Sequence, residues 1–111
     1  MPQLDHNRLI PLEDFLLTVA FLAKSLSDKN RLRILLSVNE AKKSVSGIVE
    51  ELNLSQPLVS HHLKELRRSL LVKVERRGPF VYYEIADARI VAILAALKDL
   101  ATDLLAARTT F

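Results

Sequence analysis

Two periods of apolar residues run along the chain, and the point where one gives way to the other divides it. Up to about residue 70 the repeat is helical. Phe15, Leu16, Leu17, Val19, Ala20, Phe21 and Leu22 predict a first helix from about Leu12 to Lys24, with Pro11 in a first-turn position and Glu13 and Asp14 near its positive end. It is apolar on nearly every side, too much for one core stripe, so something else must cover part of it. A second helix, about Lys29 to Val38, is capped by Asp28; Leu32, Leu35 and Leu36 form its buried side, and Arg31 and Arg33 diverge from it. Ser46 is the expected cap of a third, Gly47 to Leu52, in which Ile48, Val49 and Leu52 repeat at helical spacing. After the link Asn53-Leu54, Ser55 caps a fourth helix that tolerates Pro57 in its first turn and carries one buried stripe of Val59, Leu63, Leu66 and Leu70. Two short helices so briefly connected make a helix-turn-helix unit, about residues 46–71.

After Leu71 the period becomes two. Val72 and Val74 alternate with Lys73 and Glu75, and Val81, Tyr83 and Ile85 alternate with Tyr82 and Glu84; Arg76-Arg77-Gly78-Pro79 between them is a turn signal. This predicts a β-hairpin with a basic tip, a wing over about residues 72–85. Asp87 then caps a last helix to about Ala107, again broadly apolar through Ile90, Val91, Ile93, Leu94, Leu97, Leu100, Leu104 and Leu105. The expected fold is mainly α (α+β), a winged helix-turn-helix of four helices, a hairpin and a C-terminal helix.

The fourth helix carries the functional signal. At about 100° per residue, Pro57, Ser60, His61, Lys64 and Arg68 fall opposite the leucine stripe, with Gln56 at the leading end. Gln pairs with adenine edges, Ser and His bond to base or phosphate, and Lys and Arg neutralise phosphate or read guanine. A run of charge on an exposed helix ordinarily does no more than solvate it, as Lys64, Arg67 and Arg68 alone would. Beside an arginine-tipped hairpin, however, the expectation is DNA contact, with Lys73, Arg76 and Arg77 reaching a groove or the backbone.

Composition sharpens this picture. A chain of 111 residues suits one domain, residues 1–111, and is too short for a second. The net charge is only +3, but from Gln56 to Phe80 six cations face two acids, so the surplus of four in that segment exceeds the total and leaves the rest of the chain at −1. There is no cysteine, which excludes disulfides, thiolate metal sites and thiol redox sensing. The first residues form no secretory signal, and the apolar runs Phe15 to Ala23 and Ile90 to Leu97 fall short of a bilayer span, so a soluble, cytoplasmic protein without membrane contact is expected. A phosphate loop, a cysteine nucleophile and a locally assembled Ser/His/Asp set are all lacking, and Glu50 and Glu51 read as solvated surface, so no enzyme is expected.

Leu26-Ser27-Asp28, Arg31-Leu32-Arg33-Ile34-Leu35, the stretch from Leu54-Ser55-Gln56-Pro57 to Ser60-His61-His62-Leu63-Lys64, and the hairpin after it resemble the arsenic-repressor type (ArsR/SmtB) regulators. The resemblance runs from about Leu16 to Ile85 and implies a dimeric regulator, usually a repressor, that leaves its operator when an effector binds. It also implies that the first and last helices, about residues 11–25 and 87–107, form the dimer interface, through Phe15, Val19, Leu22, Ile90, Leu94, Leu97 and Leu104. The expected partners are thus an inverted-repeat operator in double-stranded DNA and a second copy of the chain.

The family's metal ligands are not carried over. Its thiolate positions hold Ser44 and Ser46 here; of the set on its last helix, Asp87 and Asp103 match the outer positions, whereas Arg89 and Leu100 stand where the family has histidines. Hydroxyls do not hold soft ions tightly, and a guanidinium repels a cation. His61 and His62, adjacent on a helix, point apart and cannot share an ion; His62 is expected to be packed or at the rim, and His6 with Asp5 to be a solvated tail. No metal or cofactor is therefore expected. Two readings stay open: a repressor released by a non-thiol effector, or a DNA-binding dimer controlled by a protein partner or by its abundance.

Overall fold

A computed structural model describes residues 13–108. The elements follow the expected order: α1 (Leu16–Ser25), α2 (Lys29–Glu40), α3 (Val45–Leu52), α4 (Gln56–Arg68), β1 (Val72–Arg77), β2 (Phe80–Ile85) and α5 (Arg89–Arg108). Pro11 and Leu12, the expected start of the first helix, lie outside the described residues, as do His6 and Asp5. Glu13 and Asp14 are helical, but Phe15 interrupts the run as a turn (φ −106°, ψ 7°), so α1 proper begins at Leu16.

Ile34, Leu35 and Val38 of α2, Ile48 of α3, and Val59, Leu63 and Leu66 of α4 form the core, which Leu71, Val72 and Ile90 complete. Asp28 caps α2 as expected, its Oδ1 accepting the amides of Asn30 (2.8 Å) and Arg31 (3.0 Å). The buried side of α2 is rotated from the expected one. Ile34, Leu35 and Val38 lie on one arc that faces α4, whereas Leu36 falls far round the helix and is exposed. Arg31 and Arg33 do not reach into solvent: Arg31 Nε donates to the Ser25 carbonyl (2.7 Å), and Arg33 Nη2 to the Leu52 carbonyl (2.9 Å), pinning the ends of α1 and α3.

The cap of α3 is Ser44, not Ser46. A capping hydroxyl must reach an amide two or three residues into the helix, and Ser44 Oγ accepts that of Gly47 at 3.1 Å, while Ser46 Oγ lies 3.2 Å from its oxygen. Asn53 closes the helix in the left-handed region (φ 54°), which Asn tolerates, and the chain turns directly into α4. Ser55 caps that helix through the Leu58 amide (3.3 Å), with Pro57 in its first turn.

At the other end of α4 the expected stripe loses one member. Leu70 follows the helix with φ 65° and is 79% exposed, and its neighbour Leu71 turns inward instead, its amide on the Leu66 carbonyl at 2.9 Å. The hairpin is antiparallel, in register from Val72 opposite Ile85 to Arg77 opposite Phe80, with Gly78 taking the positive φ (61°) that its two-residue tip requires. Lys43 bridges to Tyr83 through two backbone hydrogen bonds (3.0 and 2.8 Å), tying the hairpin to the loop before α3. Asp87 Oδ1 accepts the Arg89 amide at 2.8 Å where α5 starts.

Candidate nucleic-acid interface

The outward face of α4 exists because the opposite face is fully committed. Val59, Leu63 and Leu66 are buried against α2 and α3, and His62, only 5% exposed, fills the remaining arc. Burial pushes the His62 imidazole below its ordinary pKa, although the Asp28 carboxylate pulls the other way with its Oδ1 3.7 Å from Nε2; Nδ1 has no hydrogen-bond partner among the described residues. His61 is exposed where His62 is buried, their ring centroids 5.6 Å apart and the rings tilted by 54°. Gln56, Pro57, Ser60, His61, Lys64 and Arg68 are all exposed, and α4 brings them together on one surface.

The wing adds less free charge than its sequence suggests. Lys73 stands opposite Glu84 in the register, and their side chains pair at 3.5 Å; Arg77 Nε pairs with Glu75 at 3.2 Å. Glu75 also takes the Lys42 ammonium, and these two cations hold its carboxyl below the usual range, Lys42 more than Arg77. Exposed pairs of this kind are worth little, so Arg77 and Lys73 can still turn to a stronger anion. Lys64, Arg67 and Arg76 enter no ion pair among the described residues.

Arg67 is the residue that the periodicity did not single out. It stands on the side of α4 toward the wing, where it shares a cleft with Ser60, Lys64 and Tyr83 of β2. On the opposite flank, His61 faces the end of α1, and Arg68 borders both this side and the cleft toward the wing. That placement depends on the angle at which the hairpin and α1 pack, which no local pattern in α4 encodes.

The histidine positions named for the family's metal set are filled otherwise. The Arg89 guanidinium embraces the Asp87 carboxylate (Nη2 to Oδ2 2.8 Å, Nε to Oδ1 3.1 Å) and lowers its pKa to about 2. Among the described residues, no group of three His, Cys, Asp or Glu is placed to hold a metal ion, and no helix is long and apolar enough to cross a membrane.

Of the proposed dimer residues, Phe15, Val19, Leu97 and Leu104 are exposed, and Leu94 is half-buried. Ile90, 8% exposed, belongs instead to the chain's own core, and Leu22 packs against that core; the first turn of α5 and the last of α1 anchor their helices to the domain.

A polar, basic helix standing on a buried stripe, with a two-stranded wing beside it, defines a winged helix-turn-helix DNA-binding protein. Residues 28–74 match the family model described as "Bacterial regulatory protein, arsR family". The chain belongs to this ArsR/SmtB family of transcription regulators, which are DNA-binding proteins and not enzymes. It is 35% identical over 78 residues to an HTH-type transcriptional regulator of Methanocaldococcus jannaschii, an alignment covering 69% of this chain and 88% of that one. It is 37% identical over 73 residues to the HTH-type transcriptional repressor SmtB of Mycobacterium tuberculosis, covering 66% of this chain but only 54% of SmtB. Among solved structures, the homodimeric winged helix-turn-helix DNA-binding domain of a Mycobacterium bovis regulator matches with a TM-score of 0.73 at 26% identity, over 82% of this chain and 84% of that one.

Proposed function

We propose that the chain is a cytoplasmic repressor that binds an inverted-repeat operator as a homodimer. Gln56, Ser60 and His61, with Pro57 shaping the start of the helix, meet base edges; Lys64, Arg67, Arg68, Lys73, Arg76 and Arg77 hold phosphates. The observation that carries this reading is the division of α4 into a buried apolar arc and an exposed polar one, with the wing alongside. Exposed apolar surface on α1 and α5 supports pairing through Phe15, Val19, Leu94, Leu97 and Leu104.

The effector, in this reading, is not a thiophilic or α5-bound metal. Cysteine is missing from the sequence, and Arg89 already supplies the cation that Asp87 accepts. The test is to separate two kinds of DNA interaction. Gln56→Ala or Ser60→Ala should reduce preference for the selected operator over random DNA by ~1–3 kcal/mol. Arg76→Ala with Arg77→Ala should instead weaken binding to both DNAs and flatten the salt dependence by about 0.9 for each phosphate no longer neutralised. Unchanged specificity in the first pair would show that α4 reads DNA with another face.

A further inference from the structure

The two flanks of α4 are alike in one respect. Toward the wing lies the cleft with Lys64, Arg67 and Arg68; on the other side, α4 and the end of α1 enclose a cleft of about 310 Å³ lined by Lys24, Arg31, one acid, Glu65, and again Arg68, which borders both clefts. Three cations against one carboxylate leave a surplus of two, before His61 at its edge is counted. Glu65 lies 3.8 Å from Arg68, and Lys24 has no ion-pair partner among the described residues.

A helix C-terminus ordinarily repels an anion, because its last carbonyls carry partial negative charge. Here that end is cancelled. Arg31 donates to the carbonyls of Ser25 (2.7 Å) and Lys24 (3.1 Å), and the amides of Leu26 and Ser27 take those of Leu22, Ala23 and Lys24. The Arg31 side chain is thereby fixed in place at the cleft, within electrostatic reach of Asp28, while Lys24 lines the same cleft and is exposed.

A helix lying in a major groove about 12 Å wide is bordered by a sugar-phosphate backbone on each side. One cationic cleft on each flank of α4 matches that arrangement. We propose that the cleft between α1 and α4 seats a backbone phosphate of the bound DNA, held by Lys24 from α1 and Arg68 from α4, opposite the phosphate held on the wing side. The first helix then contacts the operator as well as contributing to the dimer. This rests on the reading that α4 enters DNA.

The experiment is the salt dependence of operator and random-DNA binding by Lys24→Gln in the full chain, with Lys64→Gln as control and Lys24→Arg as the charge-retaining variant. The expected result for Lys24→Gln is weaker binding to both DNAs and a log-log salt slope shallower by about 0.9 per protomer, an unchanged melting temperature, and recovery of affinity and slope in Lys24→Arg. A wild-type slope in Lys24→Gln, while Lys64→Gln loses its share, overturns this proposal and leaves the α4 reading standing. Wild-type slopes in both variants overturn the α4 reading and this proposal with it. A rise in melting temperature of the DNA-free wild type with inorganic phosphate at fixed ionic strength, absent in Lys24→Gln, together with a wild-type slope in that variant, makes the cleft a free-anion site and also overturns it.

Discussion

Helices α4 and α5 differ in where they place their apolar residues. In α4 every large apolar residue but Leu58 is buried within the chain, and the rest of the helix is polar; in α5 only Ile90 is buried, while Ile93, Leu97, Leu100, Leu104 and Leu105 stand about half exposed or more. The difference teaches that α4 is complete in one chain and α5 is not. An apolar surface of this extent ordinarily marks an interface, so the same physics that buries one helix inside the domain leaves the other to pair.

The largest test of this contrast sets a truncation in α4 against a charge in α5. Leu63→Ala removes a fully buried side chain from the stripe and should cost ~2–5 kcal/mol of folding stability by denaturant titration. Leu97→Glu should leave the monomer's fold intact, since Leu97 is 49% exposed, and shift sedimentation from dimer to monomer. If Leu97→Glu instead unfolds the chain as readily as Leu63→Ala, α5 is core and the contrast collapses.

A smaller effect sharpens the boundary of α4. Leu70 carries the left-handed strain of a bulky L-residue with φ 65°, yet it is 79% exposed and gains little from packing. Leu70→Gly should therefore stabilise the monomer by about 1 kcal/mol, read as a higher denaturant midpoint at unchanged slope.

The smallest effect concerns His62, the polar member of the buried stripe. Its pKa is lowered in the native state, chiefly by burial, so below the unfolded value near 6.5 the unfolded chain binds a proton that the folded one refuses. Its contribution is fully present above that pH and is lost as pH falls from there toward the folded value. The melting temperature of His62→Leu should accordingly depend less steeply on pH across that window than that of the wild type; equal slopes would remove His62 from the account.

Much of this was legible in the sequence where a local rule decides the outcome. The Asp28 and Ser55 caps, the polar arc of α4, and a hairpin turning within Arg76-Arg77-Gly78-Pro79 each follow from neighbours a few residues apart, although Arg76 and Arg77 prove to belong to β1 and the tip is Gly78-Pro79 alone. What was not legible depended on packing between distant segments. Two serines stand at the start of α3, and Val45, whose side chain packs on the core, makes Ser44 the cap. The orientation of α2 against α4 turned Leu36 outward, and the positive φ at Leu70 turned that residue away while sending Leu71 in. Arg31 and Arg33 look like surface charge until the ends of α1 and α3 arrive beside them. Likewise, the pairing of Lys73 with Glu84 depends on strand register, and the place of Arg67 beside Tyr83 on the angle of the wing.

The central claim is that two incomplete α1/α5 surfaces pair so that two complete α4 helices meet one operator. The measurement that tests it most directly is the stoichiometry and spacing of the complex with DNA selected from a random pool. The expected outcome is an inverted repeat with half-sites about 34–36 Å apart or a multiple of that, bound by two chains per site in sedimentation, with Leu97→Glu binding a half-site only weakly. A selected site without two-fold symmetry, saturated by a single chain at full affinity, would contradict it.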